Sequence, residues 1–383
     1  MIKKKNIALF VASIGFGGTE RVVARLASEL VKHYNVTLVL IYENIDLPIH
    51  KDVNIICMTT KKEHYDNSSF FKLGSFLLSA YKYPKIIKQN GIDISISFLI
   101  KQNIINGYTK MVNPKLETII SERCFPSKTY GSFGKQLVKH FYNKNGSLFS
   151  NSIHINQDLQ NNFELKIPAQ VVYNPIYTRE EKPAFLDYSN SKTPFQIVAV
   201  GRLNPVKNQE SLIKSIALIN ELVSLNIYGI GALEEELKTL STSLNLNKTI
   251  TFKGNSNTID QEIVKHHCLV LTSLSEGFPN VILEAMSLGV PVIATNCMSG
   301  PLELLNDNEE VQIKQGDFYK AKYGLLVNVN DNKGLAKAIT YYKNNNSVRE
   351  NYSALSFNKA KQYDISVIGK QLKTLIDSRV CVE

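Results

Sequence analysis

The stretch Leu269–Thr295, LVLTSLSEGFPNVILEAMSLGVPVIAT, decides the fold that we predict for this chain. A short apolar run is followed by a loop of Ser, Glu, Gly, Phe and Pro, and apolar residues then recur at helical spacing as far as Leu288. Gly289 suits the end of a helix, and Pro291 prevents the helix from continuing before a β-branched strand begins. The order strand, loop, helix, strand is typical of an open parallel sheet, in which ligands bind at the carboxyl ends of the strands.

Two carboxylates lie in this segment, Glu276 in the loop and Glu284 among the apolar residues of the helix. Burial of an unpaired charge is unfavourable, so Glu284 requires solvent, a partner or a ligand. Its side chain leans back toward the start of the helix, and we therefore expect both acids to reach the same crevice. The backbone amides of Asn280 and Val281 lie at the helix N-terminus, where oxygens that carry negative charge bind readily.

The spacing of the two acids resembles the signature of glycosyltransferase family 4, a group of retaining enzymes. In that signature a Glu-Gly-Phe tripeptide, here residues 276–278, is followed by a second acid eight positions after the first, here Glu284. The segment Cys297–Pro301 is similar to that of bacterial members that build surface polysaccharides. The resemblance implies that Glu276 is catalytic. It implies substrate contacts from the loop and the helix start, namely Gly277, Phe278, Pro279, Asn280, Val281 and Glu284.

A second segment, Gly201–Asn208 (GRLNPVKN), supplies two cations. A glycine turn after a predicted strand, with Arg202 and Lys207 five positions apart, suits a diphosphate. The segment resembles the one with which the family binds the nucleotide diphosphate, so we expect both side chains to be catalytic. Gly254 follows another predicted strand, at the place where members of the family hold the nucleobase.

The glycines near the amino terminus form a possible third part of the site. A predicted strand, residues 6–12, and a predicted helix, Thr19–His33, flank Gly15, Gly17 and Gly18. Glycines at a helix start permit close approach of a ligand to the backbone, but the loop lacks the features of a P-loop and of the dinucleotide fingerprint. In the resembled family this loop faces the donor phosphates and the acceptor. We expect Gly17 and Gly18 to bind substrate, and a plain turn is the alternative.

Alternation of predicted strands and helices indicates two parallel sheets covered by helices. The other strands predicted in the first half are Val36–Ile41, Val53–Met58, Ile92–Phe98, Glu117–Ser121, Ser147–Ser150 and Val171–Pro175. Those predicted in the second half are Gln196–Val200, Val223–Tyr228, Thr249–Phe252, Leu269–Leu271, Pro291–Thr295 and Gly324–Val327.

The resemblance implies the GT-B fold, an α/β architecture with two Rossmann-like domains that face each other across a cleft. We place an acceptor-binding domain at residues 1–177 and a nucleotide-sugar-binding domain at residues 190–364. The stretch Thr178–Pro194 is polar and contains Pro183, so we expect the domain boundary there. A helix at about residues 365–383 is expected to pack back on the first domain.

Glu122 and Arg123 end a predicted strand of the first half and are the candidates there for contact with the reacting sugar. Many members of the resembled family carry a His at this place, and this chain does not. His140 and His154 are poorly placed to substitute for it. A local structural pair between Glu122 and Arg123 is the alternative.

The excess positive charge lies in the first half. The net charge is +10; residues 1–180 hold 23 basic and 13 acidic side chains, and residues 181–383 hold 21 of each. This distribution indicates an anionic partner, with a solvated basic surface as the alternative. The stretch Ser69–Lys88 mixes aromatic, Leu and Lys residues, which suits either a helix at a membrane surface or a core helix with exposed lysines. Lys128–Lys144 is a second candidate for membrane contact.

Several classes of site and compartment are disfavoured. No run approaches the ~18–20 apolar residues that span a bilayer, and the apolar run near the amino terminus suits a first strand better than a signal peptide. Five scattered cysteines favour reduced thiols in a cytosol. His266, His267 and Cys268 cannot all converge on one ion, and the resemblance implies no metal cofactor. We expect a cytoplasmic protein, peripheral on the inner face of the membrane, with no nucleic-acid partner.

The resemblance implies a retaining glycosyltransferase for cell-surface polysaccharide synthesis. It would move a hexose or N-acetylhexosamine from a UDP-sugar to a lipid-linked or growing glycan. We choose UDP as the donor nucleotide because it is frequent in the family, and no residue excludes GDP or ADP. The alternatives are a sugar-nucleotide epimerase, a sucrose- or glycogen-type synthase, and a non-catalytic protein that binds nucleotide sugars or anionic glycans. A nicotinamide-dependent oxidoreductase is disfavoured by the incomplete glycine fingerprint.

Overall fold

The computed structural model describes residues 4–15, 17–60, 69–188 and 192–380. The chain divides into two compact units. Unit 1 comprises Met1–Pro175 and Ile365–Glu383, and unit 2 comprises Ile176–Asp364. Among the described residues, no helix is both long enough and apolar enough to cross a membrane.

Unit 1 is built on a seven-stranded sheet in which each strand runs parallel to its neighbours. Its strands are β1 (Asn6–Val11), β2 (Asn35–Tyr42), β3 (Asn54–Thr59), β4 (Ile94–Phe98), β5 (Glu117–Glu122), β6 (Ser147–Ser150) and β7 (Ala169–Val171). Its first six helices are α1 (Gly18–Leu30), α2 (Ser69–Gln89), α3 (Ile100–Val112), α4 (Pro126–Thr129), α5 (Ser132–Tyr142) and α6 (Ile153–Phe163). The strand order is β3-β2-β1-β4-β5-β6-β7. Residues 7–11 of β1 are fully buried, as expected for a parallel strand covered on both faces.

Unit 2 repeats the order of the first five strands and differs at the edge formed by its last two strands. Its strands are β8 (Phe195–Val200), β9 (Val223–Tyr228), β10 (Ile250–Gly254), β11 (Cys268–Leu271), β12 (Val292–Thr295), β13 (Phe318–Lys320) and β14 (Leu325–Val327), in the order β10-β9-β8-β11-β12-β14-β13. Its helices are α7 (Gln209–Ile216), α8 (Glu234–Ser243), α9 (Ile259–Ile263), α10 (Asn280–Ser287), α11 (Pro301–Asn306), α12 (Asn332–Asn344) and α13 (Asn346–Ala360), with 3-10 turns at Pro205–Lys207 and Lys361–Tyr363. The edge strand β13 is antiparallel to β14.

The last helix, α14 (Ile365–Val380), returns to unit 1, as the sequence predicts for its described part. Ile368, Leu372 and Ile376 recur at helical spacing and are fully buried in the same core as β1 and α1. The hydroxyl of Tyr34 donates a hydrogen bond of 2.6 Å to Asp377 Oδ1. Apolar packing and this hydrogen bond together hold α14 on unit 1.

The two units divide a few residues before the stretch that the sequence suggested as a linker. Pro175 O accepts a hydrogen bond from Arg25 Nη1 in unit 1, at 2.9 Å. The described residues of the polar stretch that follows bind unit 2 instead: Lys182 Nζ donates to Ser353 Oγ at 3.2 Å, and Tyr188 N donates to Asn346 Oδ1 at 3.1 Å. The polar stretch that the sequence suggested as a linker is therefore held, in its described part, by side chains of unit 2.

The predicted strands occur with ends that differ by two residues at most, with one exception. The exception is the predicted strand Val171–Pro175: the observed strand at this place, β7, begins at Ala169 and ends at Val171. Strand β13 is not predicted, because three residues at a sheet edge are too short to show a period. Gly289 has a φ of +67°, in agreement with its predicted place at the end of α10.

We expect Leu372→Ala to lower the free energy of unfolding by about 2–5 kcal/mol, because it leaves a cavity between α14 and the core of unit 1. Urea unfolding followed by circular dichroism measures the change. Val367→Ala on the same helix is the control, because Val367 is exposed and its truncation should shift stability by less than about 0.5 kcal/mol. Equal effects of the two substitutions would contradict the packing of α14 on this unit.

Candidate functional site

The loops that hold the predicted cations and acids meet at one point of the unit 2 sheet. The strand order reverses between β8 and β11, which are direct neighbours. The loop after β8 contains residues 201–208, and the loop after β11 contains residues 272–279. Open parallel sheets bind ligands at such a switch point, outside the carboxyl ends of the strands.

Lys207 and Glu276 form an ion pair at this point. Lys207 Nζ lies 2.5 Å from Glu276 Oε1, although the two residues are 69 positions apart in the sequence. The Ser273 hydroxyl donates to the same carboxylate oxygen at 2.5 Å. The side chains of Lys207 and Glu276 are 24% and 11% exposed, so the two charges are largely but not fully shielded from water. Hydrogen bonds between charged groups in such surroundings are stronger than neutral ones.

Backbone contacts fix the two loops against each other. Leu274 N donates to Val206 O at 2.8 Å, and the Thr272 hydroxyl donates to Lys207 O at 3.1 Å. The turn that carries Lys207 is capped by Asn204, whose Oδ1 accepts from Lys207 N at 3.1 Å. The position of the ammonium group relative to the carboxylate is thus set by the backbone as well as by the ion pair.

The loop after β12 holds the acidic loop from its other side. The Thr295 hydroxyl donates to Ser273 O at 2.6 Å, and the Ser299 hydroxyl donates to Gly277 O at 2.6 Å. Gly300 has a φ of +91°, and a Cβ there would lie 2.4 Å from Pro279 Cδ. Only glycine fits this close approach without strain. The residues after β12 therefore brace the loop that contains Glu276.

Helix α10 begins directly after the acidic loop. The residue before it, Pro279, makes no side-chain cap, and the first amides of any helix lack partners within the helix. Glu284 lies one turn into α10 and is 5% exposed. Phe278 is also buried, and its ring centroid lies 5.8 Å from that of Tyr363. The Phe278 ring therefore anchors the loop against Tyr363.

Arg202 is exposed in the loop after β8. Its carbonyl accepts a hydrogen bond from Gln209 Nε2 at 3.0 Å, which ties the loop to the start of α7. Among the described residues, no ion pair involves its guanidinium. A cation in this position is able to bind an anion from the solvent.

A glycine turn after β9 supports the loop that contains Arg202. Gly229 has a φ of +137°, and a Cβ there would lie 2.0 Å from Gly201 O. A Cβ at Gly231 would lie 2.2 Å from Leu203 O, and Leu203 N donates to Ile230 O at 3.0 Å. The loops after β8 and β9 therefore touch through their backbones. Gly254, at the end of β10, has a φ of +67°, and its carbonyl accepts from Gly229 N at 2.8 Å.

Cys297 lies beside the ion pair but is not suited to act as a nucleophile. The residue is 5% exposed, and burial, followed by the negative charge of Glu276, raises the pKa of its thiol to about 12. A thiol with this pKa stays protonated at neutral pH.

The sequence did not identify the residues that brace the site. Asn204, Thr272, Ser273 and Thr295 hold the loops or the carboxylate. Their positions next to the charged residues were the available signal, but small polar residues are common in any loop. The sequence also did not indicate the exposed apolar side chains of the loops that carry or support the ion pair, namely Val206, Ile230, Leu274 and Met298.

In unit 1, Glu122 is buried and fully occupied by hydrogen bonds. Its Oε1 accepts from Arg123 N at 2.9 Å and Cys124 N at 3.2 Å, and its Oε2 accepts from the hydroxyls of Tyr130 at 2.9 Å and Tyr142 at 2.6 Å. Burial raises the pKa of this carboxyl, and the four donors oppose that rise. These contacts indicate that Glu122 holds the turn after β5. A contact between Glu122 and a sugar finds no support in this geometry.

Arg123 is also buried, at 5% exposure. Its Nη1 donates to Asn174 Oδ1 at 2.6 Å. The alternative, a local structural pair of Glu122 and Arg123, takes the form of a hydrogen bond from the backbone amide of Arg123 to the Glu122 carboxylate, and the guanidinium binds Asn174 instead.

The glycine loop of unit 1 ends at Gly17, the residue that precedes α1, while Phe16 lies outside the described residues. A Cβ at Gly17 would lie 2.1 Å from Glu20 Oε2, so this carboxylate covers the start of the helix. Gly18 is the first residue of α1. An anion at this helix start would have to displace the carboxylate of Glu20.

The neighbouring histidines have separate structural partners. Nε2 of His266 lies 2.8 Å from Asn226 Nδ2, whereas Nδ1 of His267 accepts from Gln196 N at 2.8 Å. Burial lowers the pKa of His267 to about 4. Within the described part of the chain, no group of three His, Cys, Asp or Glu residues is placed to hold a metal ion.

Comparison with known proteins gives a match for most of unit 2. Residues 182–359 match the family model described as glycosyl transferases group 1. The chain is 29% identical over 380 residues to an N-acetylgalactosamine-N,N'-diacetylbacillosaminyl-diphospho-undecaprenol 4-alpha-N-acetylgalactosaminyltransferase of Campylobacter jejuni, and this match covers 97% of the chain and 100% of the relative. The family model and the names of the relatives support a glycosyltransferase.

Solved structures resemble the chain over nearly its whole length. Anabaena HepE, crystallised with UDP and glucose, has a TM-score of 0.72 at 17% identity and covers 98% of this chain and 100% of its own. Sucrose-phosphate synthase of Thermosynechococcus elongatus has a TM-score of 0.83 at 15% identity. The match covers 99% of this chain and 100% of the synthase chain. This likeness confirms the predicted fold class, two α/β domains with parallel sheets as in GT-B proteins.

We expect Gly231→Ala to destabilise unit 2 by about 1–3 kcal/mol, because the added methyl group overlaps the Leu203 backbone and displaces the loop of Arg202 and Lys207. The melting temperature of the purified protein measures this effect. Gly74→Ala is the control, since open space surrounds that position in α2 and alanine favours helix by roughly 0.5–1 kcal/mol. A melting temperature for Gly231→Ala at or above that of the wild type would contradict the contact between the two loops.

Proposed function

We propose that this protein is a retaining glycosyltransferase. It moves a hexose or an N-acetylhexosamine from a UDP-sugar to a lipid-linked or growing glycan that serves the cell surface. The observation that carries the proposal is the pairing of Lys207 with Glu276 at the switch point of the unit 2 sheet. A cation and a carboxylate in contact suit a substrate in which a phosphate adjoins a sugar.

The chemistry of glycosyl transfer requires both charges. The bond between the anomeric carbon and a phosphate oxygen breaks, so positive charge develops on the sugar ring and negative charge on the leaving diphosphate. Lys207 and Arg202 stabilise the diphosphate, and Glu276 stabilises the ring and binds sugar hydroxyls. Oriented charges in a partly dry site are usually the largest contribution to catalysis.

The ion pair keeps the site ready for the donor. Without substrate, Lys207 and Glu276 neutralise each other at 2.5 Å. When the donor binds, Lys207 turns to the phosphate while Ser273 continues to hold the carboxylate. A carboxylate that keeps one partner loses less conformational freedom when it receives the sugar.

We propose that the reaction proceeds with retention of configuration. The acceptor oxygen forms its bond to the anomeric carbon on the face from which the phosphate departs. The acceptor proton passes to the departing phosphate oxygen, which balances the step without an enzymic nucleophile. Amides at the start of α10 bind the distal phosphate, Glu284 binds the ribose, and Arg202 and Lys207 make a metal ion unnecessary.

The comparisons support the substrate classes in this proposal. The Campylobacter relative is named for transfer of N-acetylgalactosamine to a diphospho-undecaprenol-linked sugar, and HepE was crystallised with UDP and glucose. We infer a UDP-sugar donor and a lipid-linked acceptor for this chain from those names, together with the presence of Arg202 and Lys207 in one loop after β8.

We further propose that helix α2 contacts an anionic membrane from the cytoplasmic side. Leu73, Leu77 and Tyr81 are exposed at intervals of four residues, so they share one face of the helix. Lys85 Nζ lies 3.7 Å from the centre of the Tyr81 ring. An apolar face bordered by lysines is suited to the boundary between lipid head groups and acyl chains.

Glu276→Gln should abolish turnover and leave UDP affinity nearly unchanged, because the neutral amide cannot stabilise the cationic ring while Arg202 and Lys207 remain. Release of UDP from UDP-hexose and UDP-N-acetylhexosamine donors measures turnover, and calorimetry measures affinity. Glu210→Gln, an exposed acid in α7, is the control. Normal turnover in Glu276→Gln would contradict the catalytic role of Glu276, and UDP binding without turnover in the wild type would favour a non-catalytic nucleotide-sugar-binding protein.

Leu77→Gln combined with Tyr81→Gln should reduce binding to vesicles that contain phosphatidylglycerol, because the apolar face of α2 is lost. Co-sedimentation with such vesicles measures the bound fraction. Phe133→Gln tests the other basic stretch, since Phe133 is exposed on α5. A loss with Phe133→Gln alone would move the contact to α5, and no loss with either variant would refute membrane contact through these helices.

A further inference from the structure

Arg123 occupies a distinct place at the carboxyl edge of the unit 1 sheet. It follows β5 directly, and its guanidinium carbon lies 5.4 Å from the ring centre of Phe98, which ends β4. The same carbon lies 5.1 Å from the ring centre of Phe149 in β6. Asn174, which accepts a hydrogen bond from Nη1, lies three positions after β7. The guanidinium is thus surrounded by residues from the carboxyl ends of four parallel strands, the edge at which such sheets bind ligands.

This guanidinium is only partly satisfied. Nε and Nη2 are buried and have no hydrogen-bond partner within the described residues. Burial lowers the pKa of Arg123 to about 9, and the neighbouring charge of Glu122 opposes this change only in part. Buried arginines ordinarily have partners for their donors, because an unpaired buried charge is strongly unfavourable.

Arg349 in unit 2 shows what a structural arginine looks like in similar surroundings. It is also fully buried, and its guanidinium carbon lies 5.1 and 5.2 Å from the ring centres of Phe185 and Phe195. Each of its three nitrogens has a partner: Nε donates to Tyr342 O at 2.9 Å, Nη1 to Leu186 O at 3.2 Å, and Nη2 to Asn346 Oδ1. Arg123 likewise lies beside two Phe rings, but only its Nη1 has a hydrogen-bond partner among the described residues.

The unpaired nitrogens of Arg123 form one edge of the guanidinium. Nε and Nη2 present two parallel N–H groups. This is the arrangement that binds two oxygens of a carboxylate or phosphate. Asn151, which follows β6, donates from Nδ2 to Asn174 Oδ1 at 3.3 Å, while its own Oδ1 is buried without a partner among the described residues. Two buried donors and one buried acceptor therefore lack partners among the described residues at the same edge of the sheet.

We propose that Arg123 binds a phosphate group of the acceptor, with Nε and Nη2 each donating to one phosphate oxygen. This inference rests on the proposed function, because it names the anionic part of the acceptor that the glycosyltransferase would recognise. It replaces the sugar contact that the sequence suggested for Arg123. Glu122 acts as a positioning residue, since its carboxylate binds the backbone amide of Arg123 and the two tyrosine hydroxyls.

Calorimetric titration with inorganic pyrophosphate, in the presence of saturating UDP that fills the donor site, tests the proposal. The wild type should bind pyrophosphate, and Arg123→Met should bind it more than tenfold more weakly. Arg179→Met is the matched control, because Arg179 is exposed in unit 2, and its affinity should equal that of the wild type. Equal affinities of the wild type and Arg123→Met, or no binding by the wild type, would overturn the proposal.

Affinity for UDP alone separates this proposal from the donor site. UDP affinity should be the same in the wild type and Arg123→Met. A loss of UDP affinity in Arg123→Met would show that Arg123 serves the donor, which overturns its assignment to the acceptor. If the wild type fails to bind UDP, the proposed function fails, and the pyrophosphate titration without UDP still tests Arg123.

The melting temperature provides a second test, which distinguishes a ligand-binding role of Arg123 from a structural one. Arg123→Met removes a poorly paired buried charge, so its melting temperature without ligand should equal or exceed that of the wild type. Arg349→Met removes three hydrogen bonds and should lower the melting temperature. A similar drop for both variants would show that Arg123 is structural, which contradicts its assignment to a ligand.

Discussion

The ion pair between Lys207 and Glu276 is the interaction on which the site in unit 2 depends. Two opposite charges from separate loops are held 2.5 Å apart, at the point where the strand order reverses. The glycine turn after β9 supports the loop of the cation, and Ser273 and Thr295 brace the loop of the acid. These contacts within the protein orient the two charges, and such orientation is what electrostatic catalysis requires.

The first five strands have the same order in both units, but the charged side chains at the carboxyl edges of the two sheets have different partners. Unit 2 pairs a cation with an acid at the carboxyl edge of its sheet. Unit 1 buries both Glu122 and Arg123 at the corresponding edge, with separate partners for each side chain. The acid receives four hydrogen bonds and is satisfied, whereas two nitrogens of the cation have no partner in the described residues. This contrast supports a structural role for the acid and a ligand for the cation.

The sequence predicted the fold well because the spacing of apolar residues indicates which faces of the strands and helices are buried. Strands such as β1 are buried on both faces, so their continuous apolar runs were visible before the structure was known. It predicted which loops carry Lys207 and Glu276, since both follow predicted strands. It could not predict that these two side chains touch, that the Phe278 ring is buried, or that Glu122 binds two tyrosines. Those facts depend on partners distant in the sequence, which local pattern does not specify.

In the proposed function, the loop after β8 binds the diphosphate of the donor. Thermal shift with UDP, GDP, ADP and NAD, applied to the wild type and to Arg202→Ala, measures this binding. We expect UDP to raise the melting temperature of the wild type and Arg202→Ala to weaken UDP binding by about 1.5–3 kcal/mol, the value of a lost charged hydrogen bond. An absence of any shift with the nucleoside diphosphates, or a UDP shift that Arg202→Ala leaves unchanged, would contradict the proposed binding.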